Sequence, residues 1–226
     1  MTIGISNNVG LFVTFEGGDG VGKSTQLKEL AKRLRADGQT VTETREPGGV
    51  PGAEAIRELL VTGQADRWTP LAEALMMNAA RAEHLDKKIV PALQRGEIVL
   101  CDRFADSTMA YQGYAGAVGQ QTIEQLYQIV VGPYSPDVTF ILHTKPGQGL
   151  DRAKARGSDE QRFESKGSEY QNDVAKAFVS IAHADPDRCL LVDAQQSIDT
   201  AADTIFQHIK DQYQDKLASL RNSDRS

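Results

Sequence analysis

The chain has 226 residues, 40% of them hydrophobic and 25% charged, with a formal net charge of −6. That length fits one sizeable α/β domain, and the balance of residue types excludes general disorder. The acidic total excludes a chain-wide nucleic-acid footprint, and two cysteines are too few for a framework of disulfide staples.

At the N-terminus, MTIGISNNVG lacks the basic n-region and long apolar core of a secretory signal, and residues 1–9 are expected to fray. LFVTFEG (11–17) reads as the first strand. Leu27, Leu30, Ala31 and Leu34 then recur at i, i+3, i+4 and i+7, the stripe of an amphipathic helix. TVTETRE (40–46) is the second strand, and a helix begins near Leu71, just past the lone Trp68. EIVLCDR (97–103), DVTFILH (137–143) and CLLVDA (189–194) complete the set. Cys101 and Cys189 lie within two of these runs and are expected as buried free thiols in a reducing compartment. The charged end, about 216–226, is expected to fray like the start. No stretch approaches the roughly 18 apolar residues needed to cross a bilayer, so the expectation is a soluble cytoplasmic protein.

Runs that are apolar at consecutive positions suit strands covered on both faces, and their alternation with helices predicts an α/β fold. The chain 1–226 is then a single domain with a central parallel sheet of about five strands, flanked by helices. Ligands of such sheets bind outside the carboxyl ends of the strands, so residues that carry chemistry should follow the apolar runs.

The strongest local signal does so. GGDGVGKS (17–24) matches G-x-x-x-x-G-K-[ST] between a strand and a helix, the context that gives this phosphate-loop pattern its meaning. Gly17, Gly20 and Gly22 let the backbone turn its N–H groups toward phosphate oxygens. The helix that follows adds its positive end, Lys23 reaches the β- and γ-phosphates, and the Ser24 hydroxyl is a ligand for Mg²⁺. The candidate ATP site is therefore Gly17, Gly18, Asp19, Gly20, Val21, Gly22, Lys23, Ser24 and Thr25. A second strand end, VLCDR (99–103), places Asp102 where such proteins hold the metal, directly or through its water. HTKPG (143–147) does not fit the N-K-x-D of a guanine site, which argues against a GTPase.

FEGGDGVGKST, TREPGG (44–49), LMMNAAR (75–81), DRFADSTMAYQG (102–113) and DRAKARG (151–157) follow one another as in one family. In order and spacing the chain resembles the bacterial thymidylate kinases over roughly residues 10–215. The resemblance implies a P-loop nucleoside monophosphate kinase fold with a mobile lid. It also implies transfer of the γ-phosphoryl of ATP to dTMP, giving dTDP and ADP, with Mg²⁺ as cofactor and a homodimer as the assembly.

Residue roles follow from the same likeness. Arg103 resembles the arginine that grips the dTMP phosphate, and Arg57 in EAIREL a second one; planar guanidinium forks suit phosphate oxygens. Arg81 and Gln112 match positions that bond the pyrimidine edge, and a glutamine amide offers both a donor and an acceptor. Thr108 and Tyr111 match positions lining base and sugar, and Glu46 and Pro47 the loop closing one side of the dTMP site. Asp19, inside the phosphate loop, matches a carboxylate that reaches the dTMP 3′-hydroxyl or aligns the phosphates. Met77 stands where many members carry a stacking Phe. The loop position that is arginine in some members is Gly20 here, so the cations for the ATP phosphates are expected on a lid at about 151–165, with Arg156 ahead of Arg152 and Arg162. The expected catalytic set is Lys23, Asp19, Asp102, Arg103 and Arg156. The VDAQQS turn (192–197) is the candidate for adenine contact. The four histidines show no metal-ligand spacing and are read as structural or surface residues. A kinase for another pyrimidine monophosphate, and a P-loop ATPase switch without a small acceptor, are the rival readings.

Overall fold

The structure is a computed structural model that describes residues 10–144, 162 and 166–223. Five strands form a single parallel sheet in the order β2-β3-β1-β4-β5. They are β1 (Leu11–Glu16), β2 (Val41–Arg45), β3 (Ile98–Asp102), β4 (Val138–His143) and β5 (Cys189–Asp193). All five runs read as strands are strands, and the parallel α/β sheet is the one expected.

β1 is central, and every one of its residues is buried. Its alternation sorts the core into two faces. Leu11, Val13 and Phe15 pack with Leu27, Leu30 and Leu34 of α1 (Lys23–Ala36) and with Ile205 and Ile209 of α8 (Ile198–Gln212). Phe12 points the other way, toward Val99, Leu85, Ile89 and Phe104. Where β1 and β4 meet, Thr14 and Thr139 share a buried hydroxyl hydrogen bond of 2.7 Å, so two polar side chains inside the sheet satisfy each other. Cys101 and Cys189 are buried free thiols. Among the described residues no helix is long and apolar enough to cross a membrane.

Two helices widen into π-helical stretches near the site. α3 (Pro70–His84) runs through Leu85–Ile89 in π geometry into α4 (Val90–Gln94). Pro91 accounts for this: it has no N–H to donate back to residue 87, and its ring crowds that carbonyl. α5 (Ala105–Thr108) likewise passes into a π stretch at Met109–Tyr114, which carries Tyr111 and Gln112. The remaining helices are α2 (Pro51–Val61), α6 (Gln120–Val130), α7 (Ser168–Ala184) and α9 (Gln214–Ser223).

One expectation is corrected here. The segment from about residue 216, expected to fray, folds as α9 up to Ser223, with Leu217 and Leu220 buried against the same core as Leu34. Two leucines one turn apart are enough to dock a helix whose other residues are mostly polar.

Candidate active site

The carboxyl ends of β1, β2 and β3 open onto one region, and the register explains why. Phe15 of β1 and Arg45 of β2 both pair with Asp102 of β3, so the three chains leave the sheet side by side. From β1 comes the phosphate loop, from β2 Glu46 and Pro47, and from β3 Arg103.

The loop turns on glycines that take positive φ, +127° at Gly17, +78° at Gly20 and +98° at Gly22. Gly17 is also bound sterically, since a Cβ there would lie 2.2 Å from the Leu142 carbonyl oxygen of β4. α1 starts at Lys23, whose ammonium donates to the carbonyls of Gly17 (3.2 Å) and Gly18 (2.7 Å). Burial, and next the positive charge of Arg103, push the Lys23 pKa down to about 8. The Ser24 hydroxyl donates to Asp102 Oδ2. Two hard oxygens on the rim of a phosphate loop fit Mg²⁺, which takes one or two protein oxygens and fills its shell with water and phosphate. Among the described residues no group of three or more His, Cys, Asp or Glu side chains stands together.

Arg103 adopts a left-handed backbone, φ +68°, that few non-glycine residues take. Its N–H donates to Phe15 O at 2.9 Å, which holds the turn to the end of β1. The guanidinium then lies along the phosphate loop, donating to Gly17 O (2.9 Å), Ser107 Oγ (3.0 Å) and Asp19 Oδ1 (2.5 Å). Burial alone would raise the Asp19 carboxyl; the charges of Arg103 and Lys23 outweigh it and hold the pKa below the usual carboxylate value. Burial raises the Tyr111 hydroxyl instead, so it stays a donor and reaches Asp19 Oδ2 at 3.3 Å.

Beneath the Arg103 turn lies Glu16, fully buried at the end of β1. It accepts from Phe104 N (2.7 Å), Ser107 N (3.1 Å) and Ser107 Oγ (2.6 Å). Burial, then the nearby Asp106 charge, raise its pKa to about 7.

One cavity gathers the residues expected to hold dTMP. Asp19, Glu46, Pro47, Arg57, Met77, Arg81, Arg103, Thr108, Tyr111 and Gln112 all line it, and the wall is completed by Val61, Phe104 and Ser107. Ser107 was legible in DRFADST as a hydroxyl four places after Arg103; Val61 and Phe104 carry no chemical signal and are placed by the fold, Val61 at the end of α2 and Phe104 in the turn after β3.

Arg81 is committed further than its sequence position revealed. It is buried, with Nε on Glu46 Oε2 (2.8 Å) and Nη2 on Phe104 O and Thr108 Oγ1 (both 3.0 Å). Its guanidinium carbon also lies 5.1 Å from the centre of the Phe104 ring. Glu46 in turn bonds His84 Nδ1 at 3.0 Å, and His84 Nε2 bonds Thr44 Oγ1 at 2.7 Å. Arg57 donates to the Pro47 carbonyl. These contacts set the walls of the cavity before any ligand arrives.

Arg162 requires a correction. It was expected on a lid over the ATP phosphates, but it is 2% exposed and lies under α2 and α3. It donates to the carbonyls of Leu60 (3.1 Å), Gln64 (3.2 Å) and Ala65 (3.2 Å) and pairs with Glu73 at 2.6 Å. Backbone carbonyls at and just beyond the end of α2, together with a buried carboxylate, give the guanidinium a buried set of acceptors. Arg152 and Arg156, and the rest of the 151–165 segment, lie outside the described residues.

The family model for thymidylate kinase matches residues 15–205. The chain is 51% identical over 196 residues to the thymidylate kinase of Caulobacter vibrioides, covering 87% of this chain and 94% of that relative. It is 45% identical over 204 residues to the thymidylate kinase of Magnetococcus marinus, covering 90% and 97%. The crystal structure of thymidylate kinase from Ehrlichia chaffeensis superposes with a TM-score of 0.71 at 34% identity, covering 89% of this chain and 98% of that one. With likeness of this depth spanning both the phosphate loop and the cavity beside it, the chain belongs to the thymidylate kinase family.

Proposed function

We propose that the protein transfers the γ-phosphoryl of ATP to dTMP, giving dTDP and ADP, with Mg²⁺ as cofactor. The observation that carries this reading is Arg103, a wall of the cavity that also bonds the phosphate loop through Gly17 and Asp19. An acceptor phosphate held by Arg103 would stand beside the γ-phosphate held by the loop, which is the proximity that phosphoryl transfer needs. Lys23 and the loop N–H groups hold the donor phosphates; Arg103 and Arg57 hold the acceptor phosphate; Arg81, Gln112, Thr108 and Met77 surround the base. Asp19 and Tyr111 border the sugar side. Ser24 and Asp102 would hold Mg²⁺, directly or through water, and the ion would neutralise charge on the phosphates. Arg152 and Arg156 enter as the cations for the ATP phosphates on the family likeness alone.

The homodimer is supported by apolar side chains that face solvent on α3 and α6: Leu71 is 51% exposed, Leu75 49% and Ile129 80%. A cytoplasmic setting, with ATP and dTMP as the ligands and no nucleic acid, goes with this reading and with the two free thiols.

The test is ADP release from MgATP with dTMP, dUMP, dCMP, DNA or no acceptor, in parallel with dTDP quantification. ADP and dTDP formed in equal amounts with dTMP support the reading, and EDTA should abolish both. Release without an acceptor, or only with DNA, would make the protein an ATPase; preference for another monophosphate would move the acceptor.

A further inference from the structure

We propose that Glu73, which lines no part of the cavity, is a positioning residue that sets base selectivity by fixing which end of the Gln112 amide faces the substrate. Glu73 lies in the first turn of α3 and is 2% exposed. Its carboxylate is surrounded by donors. Oε1 accepts from Gln112 Nε2 (2.8 Å) and Lys166 Nζ (3.1 Å), and Oε2 from Arg162 Nη2 (2.6 Å) and Lys166 Nζ (3.3 Å).

A carboxylate held between two cations has only acceptor oxygens to offer. A side-chain amide beside it must therefore turn its NH₂ group toward it. Gln112 is itself 2% exposed and lines the cavity, and its Oε1 has no hydrogen-bond partner among the described residues. The end left to the cavity is thus the carbonyl, an acceptor. A glutamine alone could present either end; Glu73 removes the choice.

The consequence concerns the ring nitrogen N3. Thymine and uracil carry N3–H, a donor that a fixed carbonyl accepts. Cytosine carries a bare N3 lone pair, which that carbonyl repels. Discrimination of this kind depends on a buried polar group finding or missing its partner, and it is stronger than discrimination by shape. Arg162 on Oε2, and Lys166 across both oxygens, hold the carboxylate in register with Gln112.

The proposal rests on the cavity holding a pyrimidine monophosphate. It is tested by kcat/KM for dTMP and dCMP in the unmodified protein, Glu73→Gln and Glu73→Asp. In Glu73→Gln the retained oxygen is drawn to Arg162 and Lys166, the new NH₂ faces Gln112, and Gln112 turns over. The dCMP-to-dTMP ratio should rise about 10-fold, carried by the acceptor KM, with the ATP KM unmoved. Glu73→Asp, still acceptor-only, should keep the original ratio. Equal losses for both substrates in both variants, or no change in Glu73→Gln, would overturn the proposal. Should Glu73→Gln not fold, the Gln112 side-chain NH₂ of the unmodified protein gives the answer by hydrogen exchange. Slow exchange with and without dTMP supports the assignment, and protection that appears only with dTMP overturns it. Absence of dTMP-dependent ADP formation in the unmodified protein would instead mark failure of the dTMP reading itself.

Discussion

Arg103 Nη2 and Asp19 Oδ1 lie 2.5 Å apart, joining the end of β3 to the phosphate loop that follows β1. Each stabilises the charge of the other, and the pair closes the gap between the loop and the cavity. Arg103→Ala should lower kcat/KM for dTMP by about 100-fold or more while the KM for ATP changes little, because a bidentate phosphate ligand is lost and the loop glycines remain. Steady-state kinetics on both substrates measures this. Unchanged kcat/KM for dTMP would remove Arg103 from the acceptor site.

Lys23 gives a pH prediction. Its pKa is pushed down to about 8, chiefly by burial, so the free protein carries the ammonium below pH 8 and loses it above. Phosphate binding favours the charged form. kcat/KM for ATP should therefore fall as pH rises through about 8, and Lys23→Met should remove that limb along with most of the activity. A pH profile flat to pH 9.5 would contradict the environment assigned to this side chain.

Glu16 gives another, with the opposite chemistry. Its pKa rises from 4.5 in the unfolded chain to about 7 when buried. Between those values the folded protein holds a proton that the unfolded chain has released, so stability falls as pH rises through this window and levels off above 7. Glu16→Gln should flatten that dependence, since the neutral side chain still accepts from Phe104 N and Ser107 N. Denaturant unfolding at pH 5, 6, 7 and 8 resolves it; an unaltered slope in the variant would count against Glu16 as its source.

Arg162 predicts a loss of stability rather than of ATP binding. Arg162→Ala leaves Glu73 with Lys166 and Gln112 but without its guanidinium partner, and removes a side-chain donor from three carbonyls near the end of α2. Breaking a buried pair of this kind costs about 3 kcal/mol. The expected result is a lowered melting temperature with an unchanged ATP KM. A raised ATP KM at unchanged stability would return Arg162 to the lid.

Much of this protein was determined by local sequence. β1, β3 and β4 were legible because a sheet covered on both faces needs consecutive apolar residues, and LFVTFE, IVLCD and VTFILH supply them; β2, VTETR, shows no such run and is less deeply buried. The phosphate loop was legible because only glycine takes the backbone angles required between a strand and a helix at Gly17, Gly20 and Gly22. The residues expected to hold dTMP came from motifs at fixed spacing that resemble one family, and they line the cavity, whereas Val61, Phe104 and Ser107 were not among them.

What the tertiary structure decided is which charges are spent on structure. Arg103 follows an apolar strand and Arg162 stands in a charged run, and neither local setting reports what the guanidinium binds. One is buried under α2 because backbone carbonyls and Glu73 converge there, and the other stays at the cavity because β1 and β3 pair Phe15 with Asp102. Glu73 and Gln112 are 39 residues apart, and only the packing of α3 beside the π stretch that carries Gln112 brings them to 2.8 Å. The fate of α9 was decided in the same way, by Leu217 and Leu220 finding a core that a window of mostly polar residues does not reveal. Local pattern reports what a segment is able to form. Partners distant in the chain, through burial and the need to satisfy every buried polar group, determine what it does.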